Sequence, residues 1–321
     1  MEKLANIITF RPLLFDKVWG GHDIPAIKGI GTDLPNVGES WEVSAVPGKP
    51  SLTEPDGVPL TELVARYGVQ LLGTRSVDAY GMQFPLLVKV IDAADDLSVQ
   101  VHPSDRLAEI RHNSLGKTEM WYVIKTRPDA KIYAGLKTAI TPADYRRMVH
   151  EGTFDQAVAA YASKPGDSFF IPAGRVHAIG AGNVLIEIQE SSDLTYRIYD
   201  YNRPGLDGKP RELHVEEAAD AIDYSVLPDY RNIPVRRDAQ RETIVADPHF
   251  TVERITLREG DPCEIASDGT TFHVIIPVDG PVQVEAGEDR LSLPPCTAAL
   301  IPACAPAIRL SGSADLLLSY I

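Results

Sequence analysis

The segment Leu97–His102, LSVQVH, holds the first residues whose types and spacing could do chemistry. Alternate side chains of an extended strand share a face, so Ser98, Gln100 and His102 lie on one side and Leu97, Val99 and Val101 on the other. If the polar face points into a barrel, three polar groups there cost free energy unless a metal or ligand satisfies them. In KTEMWYV the same alternation sets Lys117, Glu119 and Trp121 together, and a glutamate followed directly by Met120 and Trp121 in a strong strand is a second ligand candidate. A third segment, GDSFFIPAGRVH, reads G-x5-P-x-G-x2-H. Gly166 opens a turn, an apolar run crosses a sheet, and Pro172 and Gly174 bend the chain to present His177. Gln100, His102, Glu119 and His177 together offer O, N, O and N donors. That set suits one borderline divalent ion, Zn²⁺ first, with Mn²⁺, Fe²⁺ or Co²⁺ as competitors. A strand histidine by itself is more often hydrogen-bonded than metallated; the joint spacing of the three segments is what points to a metal.

Positive charge converges on the same face. Lys89, in FPLLVKVIDA, shares a face with Leu87 and Ile91, and Arg197, in TYRIYDYNR, shares one with Thr195, Tyr199 and Tyr201. In VLIEIQE, Glu187 and Gln189 share a face with Leu185. The plainer alternatives are a solvated edge-strand Lys89 and an Arg197 paired with Glu187 or Asp200. Cations beside a metal are costly unless an anion joins them, which points to a phosphorylated or polyhydroxylated substrate.

Elements that would position these residues follow from the punctuation of the chain. In 321 residues there are 25 prolines and 24 glycines, recurring between short apolar runs, which favours a β sandwich or barrel over alternating βα units. Strands are expected at Leu86–Asp92, Leu97–His102, Glu119–Lys125, Ser168–Pro172, Val184–Glu190 and Tyr196–Tyr201. Helices are expected at Leu60–Tyr67, Val215–Asp220 and Thr141–Ala162, the last with Thr141 as N-cap and Pro142 at the first helical position. Residues 226–240 read as a linker. Beyond it come strand-like runs at Phe250–Leu257, Phe272–Pro277, Val282–Ala286 and Asp315–Ile321. This gives a domain at 1–230 and a smaller one at 231–321. His273 stands alone in the second, which is expected to hold no metal.

Composition bounds the partners. Net charge is −14, from 31 Lys and Arg against 45 Asp and Glu, so neither nucleic acid nor an anionic membrane surface is expected. Three cysteines cannot all pair and have no metal spacing, which fits a reducing, cytoplasmic setting. The uncharged stretch Leu291–Ile308 contains Pro294, Pro295, Pro302 and Pro306 and does not make a membrane helix. The first residues do not read as a signal peptide.

The Gly166–His177 spacing matches the second motif of the cupin jelly rolls. FPLLVKVIDAADDLSVQVHP, GKTEMWYV and FFIPAGRVHAIGAGNVLIEIQESSDLTYRIYDYNR, with VWGG at Val18–Gly21 and GESWEVSAVPG at Gly38–Gly48, resemble the type I mannose-6-phosphate isomerases of the shorter bacterial class. The resemblance spans roughly residues 7–220. It implies a mainly β fold, a cupin jelly-roll barrel with inserted helices, plus a second, smaller C-terminal jelly-roll-like domain. It also implies one Zn²⁺ per chain on Gln100, His102, Glu119 and His177, with Lys117, Arg197 and Glu187 in the active site and Ser98 beside the ligands. Lys89 joins Ser98 as a substrate-binding candidate. The general cupin first motif has His-x-His where this chain has Gln100-x-His102, and Glu119 follows late; the isomerase family shows both departures. The implied reaction interconverts mannose 6-phosphate and fructose 6-phosphate through a cis-enediol(ate), in a monomer or small homo-oligomer. The competing readings are an Fe²⁺ cupin oxygenase, a non-catalytic sugar-binding or regulatory cupin, and an isomerase of another sugar phosphate.

Overall fold

A computed structural model describes residues 4–321. Side-chain alternation along the strands sorts the chain into stacked layers. Six strands pair in the order Ser168–Ile171, Glu119–Thr126, Asn183–Glu190, Leu86–Ala93, Glu39–Val43, Leu13–Phe15. Five pair in the order Tyr196–Tyr199, Val99–Val101, His177–Ile179, Lys131–Leu136, Val158–Ala162. The inner faces of these two sheets enclose Ile91, Leu97, Trp121, Val123, Ile132, Phe169 and Leu185. The outer face of the five-stranded sheet buries Val99, Val101, Ala178 and Ile198 beneath helices Pro142–Glu151 and Val215–Ala221.

The other face of the six-stranded sheet is equally apolar. Leu86, Val88, Val90, Met120, Tyr122, Val184, Ile186 and Ile188 pack against Phe250, Val252, Val274, Ile276, Leu300 and Leu317. Of the latter, all but Phe250, which directly precedes a strand, belong to an eight-stranded sheet that closes with a four-stranded one over a second core of Ile255, Ile275, Val284, Ile308, Leu310 and Leu318. Leu86–Ala93 and Asn183–Glu190 are therefore buried at every residue, because their sheet lies in the middle of the molecule.

The sheets do not divide at residue 230. Ile8–Arg11 joins the eight-stranded sheet, with Ile8 opposite Leu300 and Phe10 opposite Thr53. Short helices Val69–Leu72 and Thr74–Tyr80 also dock there, their backbones bonded to residues 269, 270, 272, 303 and 304. Between the units, Lys28 Nζ reaches Glu42 Oε2 at 2.8 Å and the carbonyl of Cys296 at 2.6 Å, with both charged groups fully buried.

Two expectations are corrected. The helix from Thr141 stops at Glu151, where Gly152 caps it in the left-handed region at φ 68°. Residues Phe154–Ala157 form a 3₁₀ turn and Val158–Ala162 is an edge strand paired with Lys131–Leu136. The apolar-rich VAAYA run has no signal separating it from a helix continuation. The stretch 226–240 is not all free linker: Tyr230 is buried in the first unit, its hydroxyl bonded to the carbonyl of Leu136 at 3.0 Å, and Val235–Arg236 pairs with Arg241–Ala246. The helix expected at Leu60–Tyr67 is present, and the one expected at Val215–Asp220 runs one residue further, to Ala221. All three cysteines are free, and no helix among the described residues is long and apolar enough to cross a membrane.

Candidate metal centre and active site

The turn Gly166–His177 works as its spacing requires. Gly166 and Gly174 sit at φ +90° and +89°, a region that L side chains rarely adopt. Beyond the second turn, His177 opens a strand opposite Gln100 on one side and Ala134 on the other. Gln100 in turn lies opposite Arg197. Across the barrel, Glu119 is paired with Gln189, and Trp121 with Glu187. The two sheets thus aim Gln100, His102, His177 and Glu119 at one point.

Backbone carbonyls fix both imidazoles. His102 Nδ1 donates to Leu194 O at 2.9 Å and His177 Nδ1 to Arg175 O at 2.8 Å. Each Nε2 then turns a lone pair inward. His102 Nε2 is 3.4 Å from Glu119 Oε2, and His177 Nε2 is 3.5 Å from Glu119 Oε1. The three side chains are fully buried and Glu119 Oε1 accepts no hydrogen bond. Gln100 Nε2 stands 3.2 Å from His177 Nε2, and Ser98 Oγ donates to Gln100 Oε1 at 3.2 Å. A half-turn of the amide presents Oε1 to the same point.

The electrostatics of the cluster call for a cation. Burial, with Lys117 beside it, pushes the His102 imidazole down to about 3, and burial lowers His177 too. Burial opposes the charge on Glu119, yet Lys117 and the imidazoles hold it well below the usual carboxylate range. Lys117 Nζ already lies 2.7 Å from Glu119 Oε2 and 2.9 Å from His102 Nε2. An orphaned buried carboxylate oxygen, two inward lone pairs and an attracted ammonium fit a divalent ion held by His102, Glu119 and His177, with the Gln100 amide as fourth donor.

A cavity of about 310 Å³ opens beside this cluster. Ser98, Gln100, Lys117, Lys89, Glu187 and Arg197 all line it. Lys89 is not the solvated edge lysine: it is buried, 2.9 Å from Glu187 Oε1, and lies over the Trp41 ring at 5.1 Å. Although burial works against its charge, Glu187 and Glu39 raise its pKa. Trp121 Nε1 donates to Glu187 Oε2 at 2.9 Å. Asp200 is taken by Arg203 at 3.0 Å and Arg211 at 2.6 Å, so the expected carboxylate alternatives for Arg197 are otherwise engaged. Arg197 Nη1 donates to Glu212 O at 2.9 Å and its buried Nε has no partner. Burial and then Arg211 lower its pKa.

Some lining residues were not singled out from sequence. Lys17 and Glu39 pair at 3.0 Å at the cavity wall; Glu39 stands in GESWEV, a segment noted only for its likeness. Burial would raise the Glu39 carboxyl, but Lys89 and Lys17 hold it down at about 2. Arg211 and His214 carry no motif at all; His214 reaches the cavity because its Nδ1 accepts the Arg197 backbone N–H at 3.3 Å. Leu97 precedes the observed strand and packs inside the barrel, away from the Val99 and Val101 face. In the second unit His273 is buried, its pKa pushed by that burial down to about 4, and its ring lies 5.5 Å from that of Tyr320, tilted by 56°.

Two facing antiparallel sheets with a buried glutamate, two inward imidazoles and a cationic cavity define a cupin-type metal site. Residues 8–163 match the family described as phosphomannose isomerase type I, catalytic domain. The chain is 32% identical over 322 residues to the mannose-6-phosphate isomerase of Bacillus subtilis (strain 168), covering 98% of each. It is 36% identical over 258 residues to that of Streptococcus mutans serotype c (strain ATCC 700610 / UA159), covering 78% of each. The crystal structure of the mannose 6-phosphate isomerase from Bacillus subtilis superposes with a TM-score of 0.89 at 29% identity, covering 99% of this chain and 100% of that one. The chain belongs to the type I phosphomannose isomerase family.

Proposed function

We propose that the protein interconverts mannose 6-phosphate and fructose 6-phosphate in the cytoplasm, with one Zn²⁺ held by Gln100, His102, Glu119 and His177. The observation that carries this reading is the meeting of a buried, unsatisfied Glu119 with two carbonyl-fixed imidazoles beside a cavity lined by Gln100, Lys117 and Arg197. Bound there, the ion supplies Lewis acidity to the sugar oxygens.

Aldose–ketose isomerisation breaks the C2–H bond and forms a C1–H bond, so negative charge develops on O1 and O2 in between. The Lys117 ammonium and the Arg197 guanidinium line the same cavity and are preorganised donors for that charge. We assign the moving proton to Glu187, which faces the same cavity and is oriented by Trp121 and Lys89. Lys89 and Ser98 are assigned to the substrate: Ser98 bonds to Gln100, and Lys89 adds charge for a phosphorylated ligand. Residues 231–321, with Ile8–Arg11 paired to them, are read as a unit without metal that supports the catalytic barrel.

Metal analysis combined with a hexose 6-phosphate isomerisation assay tests this reading. A divalent ion should purify with the protein, chelation should abolish turnover, and Zn²⁺ should restore it. Full turnover by metal-free protein would overturn the assignment. Arg197→Ala should lose far more turnover than stability, and equal loss of both would make Arg197 a packing residue.

A further inference from the structure

Three consecutive backbone N–H groups set the position of Lys117. Gly116 donates to Asp105 Oδ1 at 2.8 Å, Lys117 to Pro103 O at 3.1 Å, and Thr118 to Glu190 Oε2 at 2.7 Å. The Glu190 N–H returns a bond to Thr118 O at 3.0 Å. Glu190 therefore grips both backbone polar groups of Thr118, extending the strand ladder by one rung beyond Glu119. The carboxylates on either side of Lys117 then converge on one side chain. His249 Nδ1 lies 3.0 Å from Glu190 Oε1 and 3.8 Å from Asp105 Oδ2. His249 comes from the other unit, in the turn between Arg241–Ala246 and Thr251–Thr256.

That turn is itself held in place. Asp247 Oδ1 accepts the His249 N–H at 3.1 Å, and the Tyr80 hydroxyl donates to His249 O at 3.2 Å. Glu190 is buried, whereas Asp105 and His249 are not. Glu190, 3.0 Å away, raises the His249 pKa, and the imidazole stands between two carboxylates that would otherwise repel each other.

We propose that His249, Glu190 and Asp105 form a bracket through which the C-terminal unit fixes the backbone of Lys117 and so positions its ammonium in the active site. These are positioning residues: they act through Lys117, and the proposal rests on the reading of Lys117 as catalytic. Small displacements of a reacting group cost turnover steeply. The bracket gives the C-terminal unit a part in the reaction beyond packing.

The test compares His249→Gln and Glu190→Gln in the full-length, metal-loaded enzyme, each alone and in a Lys117→Ala background. Each substitution alone should lower kcat about 10- to 100-fold with KM and bound metal near wild type. In the Lys117→Ala background the same substitutions should change the residual kcat less than about twofold, because a shared route to the chemistry is not additive. Wild-type kcat in both single variants, or an undiminished loss in the Lys117→Ala background, would overturn the bracket while leaving Lys117 catalytic. Wild-type turnover in Lys117→Ala itself would overturn the reading of Lys117, and the bracket with it. If Glu190→Gln fails to fold, His249→Gln, at a half-buried position, carries the comparison alone.

Discussion

Glu119 is buried with Lys117 and two imidazoles within 3.5 Å, so its charge is felt by every polar neighbour. Removing that charge in Glu119→Gln should weaken metal binding by at least about 100-fold, more than loss of a residue that only orients a ligand. Dialysis against a graded chelator with metal analysis checks this. The imidazoles give a pH signature in metal-free protein. His102 is depressed from an ordinary 6.5 to about 3 in the folded state, so the unfolded chain binds its proton first. Stability from keeping it neutral is present above 6.5 and drains away as pH falls towards 3. Denaturant unfolding between pH 7 and 4 should show the wild type losing more stability than His102→Gln, and parallel curves would contradict the burial argument. Lys89 and Glu187 belong to the same scale: Lys89→Met strands a buried carboxylate and should cost about 3–5 kcal/mol in chemical unfolding, far above the ~1 kcal/mol of an exposed pair.

Among the elements, the turn ending at His177 is the most exacting. A Cβ on Gly174 would lie 3.0 Å from Ala221 O at a φ of +89°. Gly174→Ala should therefore cost about 1–3 kcal/mol and shift His177, read as a lower melting temperature together with weaker metal retention. The sequence is legible where chemistry and period coincide. Among the candidate ligands, Gln100, His102 and Glu119 stand out because polar residues recur on apolar strands, and His177 because of the G-x5-P-x-G-x2-H spacing. Lys89 and Glu187 follow from the same alternation, although their pairing does not, since cross-strand register is a long-range fact. VAAYA after Glu151 is ambiguous because short alanine-containing runs suit a helix as well as an edge strand. His214, Arg211 and His249 carry no local pattern, and only the packing of loops from distant parts of the chain gives them neighbours.

At the scale of the whole molecule, two sandwiches share one apolar seam and cannot be separated at residue 230 without exposing it. A fragment of residues 1–230 should aggregate, since Val88, Val90, Ile186 and Ile188 would face water and Ile8–Arg11 would lose its partner strand. Recovery of that fragment as a soluble, folded monomer would contradict this account of the seam. The Lys28–Glu42 pair buried at the junction makes a sharper case. Lys28→Met alone should destabilise by about 3–5 kcal/mol, and adding Glu42→Leu should recover most of the loss, both read by denaturant titration. The pairing of Ile8 with Leu300 also has a consequence for synthesis. A strand made early has to wait, with one edge open, until nearly all of the rest has left the ribosome. The nascent chain therefore carries an unpaired β edge for most of its elongation, which is a window for chaperone capture or for mispairing between neighbouring copies on a polysome.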